Sequence, residues 1–156
     1  MTRITTALAG PDDADALARL QADFNAEFES PCPTHAQLAR RFRAILAGPA
    51  GYAVLAGSLR SPAGYGLVTL RPTIYSDGPL AVLDELYVRP EQRADGIGTA
   101  VLERVIAELR VRGGEEMHIN VDEVDTDTRR FYERHGFTNT EPGTADRMLL
   151  YVREFV

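Results

Sequence analysis

The stretch Leu86-Tyr87-Val88-Arg89-Pro90-Glu91-Gln92-Arg93-Ala94-Asp95-Gly96-Ile97-Gly98-Thr99 joins a strand to a helix through a turn that carries two glycines. Upstream, Leu80 to Val88 is an apolar run that Pro90 stops, because a proline holds the residue before it out of the helical region. Downstream, Ile97, Val101, Val105 and Leu109 repeat at helical spacing between Gly96 and Arg112, and Gly113-Gly114 ends the helix. The first N–H groups of such a helix lack intrahelical acceptors, and its dipole adds a positive end. Without Cβ atoms at Gly96 and Gly98 an anion can approach the backbone, so the turn reads as a phosphate site to which Arg93 adds a charge-assisted hydrogen bond. The plainer reading is a turn that merely lets the helix pack on a sheet. No Gly-Lys-Ser/Thr follows, which excludes a P-loop, and the full Gly-x-Gly-x-x-Gly spacing of a dinucleotide site is missing.

Outward from this turn the elements follow in order. Ile4 to Leu8 predicts a strand, and Leu17, Leu20, Phe24 and Phe28 mark a helix that Ser30-Pro31-Cys32-Pro33 breaks. Thr34 and Gln37 form a capping-box pattern for a second helix with Leu38, Phe42 and Ile45 on its buried face. Tyr52 to Leu59 and Gly64 to Leu70 read as a hairpin, and Met117 to Val121 as a further strand. Asp125 to Arg134 is a short helix closed by Gly136, and Phe137 to Thr140 and Arg147 to Phe155 read as two last strands. The order β-α-α-β-β-β-α-β-α-β-β predicts an α/β (α+β) fold with a mixed, mostly antiparallel sheet flanked by helices, and residues 1–156 are expected to form a single domain.

Composition narrows the functional classes. The 156 residues are 44% hydrophobic and 26% charged, as an ordinary globular chain is. A formal charge of -6 argues against nucleic acid as a partner, because that affinity rests on neutralising phosphates. Neither a spanning apolar run nor a signal-like amino terminus is present, so no membrane association and a cytoplasmic location are expected. The single cysteine, Cys32, excludes a disulfide framework, and the three histidines, His35, His118 and His135, are not at ligand spacing, so no metal is expected.

Three segments carry a family resemblance. Arg93-Ala94-Asp95-Gly96-Ile97-Gly98 has the form Arg or Gln, two residues, Gly, one residue, Gly or Ala; Leu86-Tyr87-Val88-Arg89-Pro90 precedes it; Phe131-Tyr132-Glu133-Arg134-His135-Gly136-Phe137 follows downstream. In this the chain resembles the GCN5-related N-acetyltransferase (GNAT) superfamily over Leu80 to Phe137. The resemblance implies acetyl-CoA as co-substrate, in a cleft where two neighbouring strands splay. Leu86, Tyr87 and Val88 would pair with the pantetheine arm, and Arg93, Ala94, Asp95, Gly96, Ile97, Gly98 and Thr99 would hold the pyrophosphate. Ala94 and Asp95 stand where glycine and a basic or polar residue are common, so Asp95 is expected to face solvent.

Acetyl transfer to an amine needs a neutral nucleophile and a proton for the departing thiolate. Tyr132 aligns with the tyrosine that protonates the thiolate in similar enzymes and would also touch CoA; packing beside Phe131 is the alternative. Asp125 stands where the family has an asparagine on the CoA arm, or it is simply a helix N-cap. For the base, Asp84 and Glu85 point to opposite faces if the strand is regular; in similar enzymes the acid that activates the amine stands where this chain has Val82, and Asp84 shares that parity. A bulge would hand the role to Glu85, and a water chain remains a third choice. Cys32 in its proline-flanked loop reads as an inert thiol.

The resemblance implies an acceptor opposite CoA, against the first two helices, the loop between them and the last hairpin, regions for which Asp23, Asn25, Glu27, Glu29, Tyr65, Tyr75, Met148 and Tyr151 are the candidates. A small-molecule primary amine is the leading reading. A peptide or protein N-terminal or lysine amine, and a non-catalytic acyl-CoA-binding domain, are the alternatives. A homodimer through an edge strand near the carboxyl terminus is an expectation by analogy.

Overall fold

The computed structural model describes residues 3–58 and 60–155. These fall into two compact units, Met1–His118 and Ile119–Val156. The first contains β1 (Thr6–Leu8), α1 (Ala14–Glu27), α2 (His35–Ala47), β2 (Gly51–Ser58), β3 (Ser61–Arg71), β4 (Leu80–Val88), α3 (Ile97–Val111) and β5 (Glu116–His118). The second contains α4 (Thr126–Arg134).

The strands form one five-stranded sheet in the order β1-β2-β3-β4-β5. Its first three pairings are antiparallel and β4 with β5 is parallel, which is the mixed, mostly antiparallel arrangement read from the element order. Short connections make the antiparallel pairs, whereas α3 supplies the crossover a parallel pair requires.

Each face of the sheet is covered by helices. Leu17, Ala18 and Leu20 of α1 and Leu38, Ala39 and Phe42 of α2 pack with Ala53, Leu55, Tyr65, Leu67 and Tyr87 of the sheet. On α3, Ile97, Val101, Leu102, Val105 and Leu109 form the buried stripe predicted by their spacing. Tyr52 anchors this layer, its hydroxyl donating to the Val105 carbonyl at 2.6 Å. The helix starts are set locally. Gln37 N–H donates to Thr34 Oγ1 and Thr34 N–H to Gln37 Oε1, the reciprocal capping box that the sequence announced for α2.

Two features differ from the sequence reading. The strand expected over Met117 to Val121 is the shorter β5, because Asn120, Asp122 and Glu123 favour turn over ladder. The last two strands, Phe137 to Thr140 and Arg147 to Phe155, reduce to an isolated antiparallel bridge, Thr140↔Arg147, flanked by Met148 N–H to Asn139 O at 2.6 Å and Glu141 N–H to Asp146 O at 3.1 Å. Two strands alone bury too little to extend a ladder.

Gly66 lies under α3: a Cβ there would come within 2.9 Å of Val101 Cγ1 and 3.3 Å of Val105 Cγ1. Valine side chains are stiff at χ1 and cannot swing away. Gly66→Ala is therefore expected to destabilise the protein by about 1–3 kcal/mol in a urea titration, as other overpacked cores do.

Candidate active site

The site begins with a register fault. Leu67 of β3 pairs with Glu85, but the next residue, Val68, pairs with Leu83, so Asp84 is an extra residue in β4. Side chains of directly paired residues share a face, so Glu85 lies on the Leu67 face, under α1 and α2, while Leu83 lies with Val68. The opposite-face expectation for a regular strand does not hold here: Asp84 bonds Thr69, which shares the Leu67 face, and Glu85 pairs with Leu67, so the bulge brings both acids to one face. The bulge turns Glu85 toward the helices and leaves Asp84 exposed, its Oδ2 accepting from Thr69 Oγ1 at 2.5 Å.

Glu85 is half-buried in polar company. Burial, and then the neighbouring Asp84 charge, push its carboxyl above the usual carboxylate range, while a hydrogen bond from Gln21 pulls it back. Gln21 belongs to a chain of amides. The Tyr65 hydroxyl donates to Gln21 Oε1, Gln21 Nε2 donates to Asn25 Oδ1 at 2.6 Å, and Asn25 Nδ2 donates to the Pro31 carbonyl at 2.9 Å. Tyr65 stays neutral because burial, and then Glu85 and Asp84, raise its pKa well above that of a free phenol. Above this floor lies an open cavity of about 260 Å³ lined by Gln21, Asn25, Pro33, Leu38, Arg41, Phe42, Ile45, Leu67 and Glu85. Neither Gln21 nor Arg41 stands out in sequence. The signal for Gln21 is a polar residue four after Leu17, on the stripe that buries Leu17 and Leu20.

Beyond the bulge β4 is open along one edge. The ladder with β5 runs from Leu80↔Glu116 to Val82↔His118, and Leu83 to Val88 have no ladder partner on that side among the described residues. A 3₁₀ turn, Pro90–Gln92, follows. Ala94 then adopts φ 67° and Gly96 φ 82°, and α3 starts at Ile97 with Ala100 N–H donating to Gly96 O at 3.0 Å. No side chain caps this helix, so the N–H groups of its first turn, Ile97, Gly98 and Thr99, are left for another acceptor. Asp95 is exposed, as expected.

Arg93 is engaged within the chain. Its Nε donates to the Val88 carbonyl at 2.9 Å, and a terminal nitrogen donates to Glu27 Oε2 at 2.6 Å. One turn earlier on α1, Asp23 accepts from Arg89 at 2.8 Å, so two arginines beside the turn grip two acids four residues apart on one helix face. Glu27 and Asp23, expected near the acceptor, thus hold the turn to α1.

In the second unit Asp125 caps α4, its Oδ1 accepting from Thr128 N–H at 3.3 Å. Tyr132 is buried between Phe131 and Phe137, in edge contacts at centroid distances of 5.1 Å and 5.6 Å. His135 Nδ1 lies 2.7 Å from the Phe131 carbonyl, and His118 Nε2 lies 2.5 Å from Glu116, positions that suit the structural reading of both histidines. Cys32 is exposed. Among the described residues no group of His, Cys, Asp and Glu is arranged to hold a metal ion, and no helix is long and apolar enough to cross a membrane.

A bulged strand, an open strand edge and a bare helix start thus lie together in the first unit, and comparison with known proteins gives the family. The model of the Acetyltransferase (GNAT) family matches residues 17–137. A solved structure from Arthrobacter sp. FB24, provisionally assigned as an acetyltransferase, superposes with a TM-score of 0.90 at 45% identity, covering 97% of this chain and 96% of that one. Over 63 residues the chain is 40% identical to the mycothiol acetyltransferase of Thermobispora bispora, a match that spans 40% of this chain and only 21% of that protein. An aminoglycoside acetyltransferase from an uncultured soil metagenomic sample shares the fold, with a TM-score of 0.80 at 19% identity over 97% of this chain and 96% of its own. The chain belongs to the GNAT acetyltransferase family, whose co-substrate is acetyl-CoA.

The left-handed backbone at Ala94 and Gly96 makes two opposite predictions. Ala94→Gly relieves a Cβ held at positive φ and is expected to raise stability by up to about 1 kcal/mol. Gly96→Ala, where a Cβ has room but the wrong φ, is expected to lower it by about 1–2 kcal/mol. Thermal unfolding of both variants checks the signs.

Proposed function

We propose that this acetyltransferase moves the acetyl group of acetyl-CoA directly to the primary amine of a small molecule, with Glu85 as the base and Tyr132 as the acid. The observation that carries the reading is the bulge at Asp84. It aims a carboxylate of raised pKa into a cavity, on the strand whose next residues offer an unpaired edge. In this reading Leu86, Tyr87 and Val88 pair with the pantetheine arm as an added strand would. The turn from Arg93 to Thr99 receives the pyrophosphate on backbone N–H groups, with Arg93 stiffening the turn through Glu27 while Ala94, Asp95, Gly96, Ile97 and Gly98 shape it. Asp125 orients the start of α4, and Tyr132 supplies a phenolic proton.

The chemistry balances without a covalent intermediate. The neutral amine nitrogen attacks the thioester carbonyl carbon, the C–S bond breaks, the excess proton on nitrogen passes to Glu85, and the thiolate takes the Tyr132 proton. Glu85 suits a base because its raised pKa brings it closer to the amine it must deprotonate. A small acceptor is in keeping with the name of one relative, a mycothiol acetyltransferase, and with an open cavity of about 260 Å³ beside Glu85.

Glu85 must be ionised to act, so kcat/KM is expected to fall as pH drops through a pKa above the usual carboxylate range. Glu85→Gln should abolish this acid limb and lower kcat by about 10²–10⁴-fold, with the KM for acetyl-CoA little changed. The same shift has a stability consequence. Stability associated with a raised carboxyl pKa is present below the unfolded-state pKa and is lost as pH rises through the folded one, so Glu85→Gln should be more stable than the parent at neutral pH. A pH–rate profile and a pH series of denaturant titrations read the two effects; an unchanged acid limb would remove Glu85 from the role. Tyr132→Phe should lower kcat with acetyl-CoA affinity retained, and an undiminished kcat would leave Tyr132 as packing only.

A further inference from the structure

The cavity above Glu85, taken as the acceptor site in the reading above, carries chemistry that distinguishes among amines. Its walls are mostly apolar: Pro33, Leu38, Phe42, Ile45 and Leu67. Gln21 and Asn25 are polar, but both amides are committed to the chain that ends on the Pro31 carbonyl. Two charged side chains remain in the lining, the half-buried carboxylate of Glu85 and the guanidinium of Arg41. Leu38, Arg41, Phe42 and Ile45 fall at i, i+3, i+4 and i+7 of α2, so one helix face presents the apolar wall with Arg41 set in it. Arg41 is exposed, and none of the ion pairs among the described residues includes it. The cavity thus has one anionic position on the strand, one cationic position on the helix, and an otherwise mostly apolar lining.

This pattern selects by charge. A polyamine or an aminoglycoside brings several ammonium groups; Glu85 can receive one, while Arg41 repels the others and no second carboxylate lines the cavity. A plain hydrocarbon amine fills the walls but leaves Arg41 unused. An amine that also bears a carboxylate satisfies both ends, and guanidinium is suited to that partner because its planar donors match carboxylate geometry. The cavity of about 260 Å³ is open to solvent, so charge and lining, not volume, set the choice among amines. We propose that the acceptor is a small zwitterionic amine with an apolar body, of which an aliphatic or aromatic α-amino acid is the simplest form, its amine on Glu85 and its carboxylate on Arg41.

The proposal is tested by thiol release from acetyl-CoA with matched amines: leucine against isopentylamine, phenylalanine against phenethylamine, and spermidine and an aminoglycoside as polycations. The amino acids are expected to give the highest kcat/KM. Arg41→Ala should lower kcat/KM for leucine at least tenfold more than for isopentylamine, mainly through KM, and Arg41→Lys should restore part of the difference. Because Arg41 is exposed, an unchanged circular dichroism spectrum is expected, and Arg41→Gln serves as a second variant. A polycation used better than any amino acid, or equal losses for leucine and isopentylamine, would overturn the proposal while leaving acetyl transfer standing. No thiol release with any amine, in protein that still binds acetyl-CoA, would overturn the acetyl-transfer reading as well.

Discussion

Insertion of Asp84 into β4 changes the face on which every later side chain of that strand lies, because strand side chains alternate with a period of two. Ahead of the bulge the strand keeps the parity of its ladder with β3, and behind it Glu85 and Tyr87 turn toward α1 and α2. Tyr87 then packs into the core beneath these helices, its ring 5.0 Å from that of Phe24, while Glu85 is left among amides at the edge of the same core. A bulge also bends a strand and increases its twist. That bend falls where the β4–β5 ladder has just ended, so the carboxylate and the open strand edge arise from one local departure.

The turn after β4 depends on a different kind of constraint. Its geometry needs positive φ at two places, and the chain supplies glycine at only one of them. Ala94 is therefore held in the left-handed region by its surroundings, which include the 3₁₀ turn before it and the α3 start after it. Arg89 and Arg93 fasten the strand end and the turn to Asp23 and Glu27 of α1. Exposed ion pairs contribute little to stability, so their role is to hold direction. Because α1 also carries Gln21 and Asn25, the same helix supports the proposed nucleotide turn and borders the cavity.

Much of this was legible in the chain. Helical spacing of Ile97, Val101, Val105 and Leu109, the Thr34–Gln37 box and the Gly-x-Gly turn are local signals, and the elements they predict are present. The bulge was not legible, since no residue type marks it; Asp84 and Glu85 are adjacent acids in sequence, and only the register against β3 distinguishes them. The engagement of Arg93 was not legible for a related reason. A free guanidinium beside a phosphate turn and one committed to Glu27 look alike until α1 is placed, 66 residues away in the chain. The last two strands were over-read because Met148 to Val152 have strand-like composition, and composition does not supply a partner.

By itself the sequence determined the elements from β1 to α4, the glycine turn before α3 and the family, because each rests on residues within one turn or one strand of each other. Tertiary structure alone decided which carboxylate faces the cavity, which arginine is engaged and which stays free, and how large the cavity is. Those depend on strand register and helix docking, where a shift of one residue reverses the face of a side chain while leaving the local pattern unchanged.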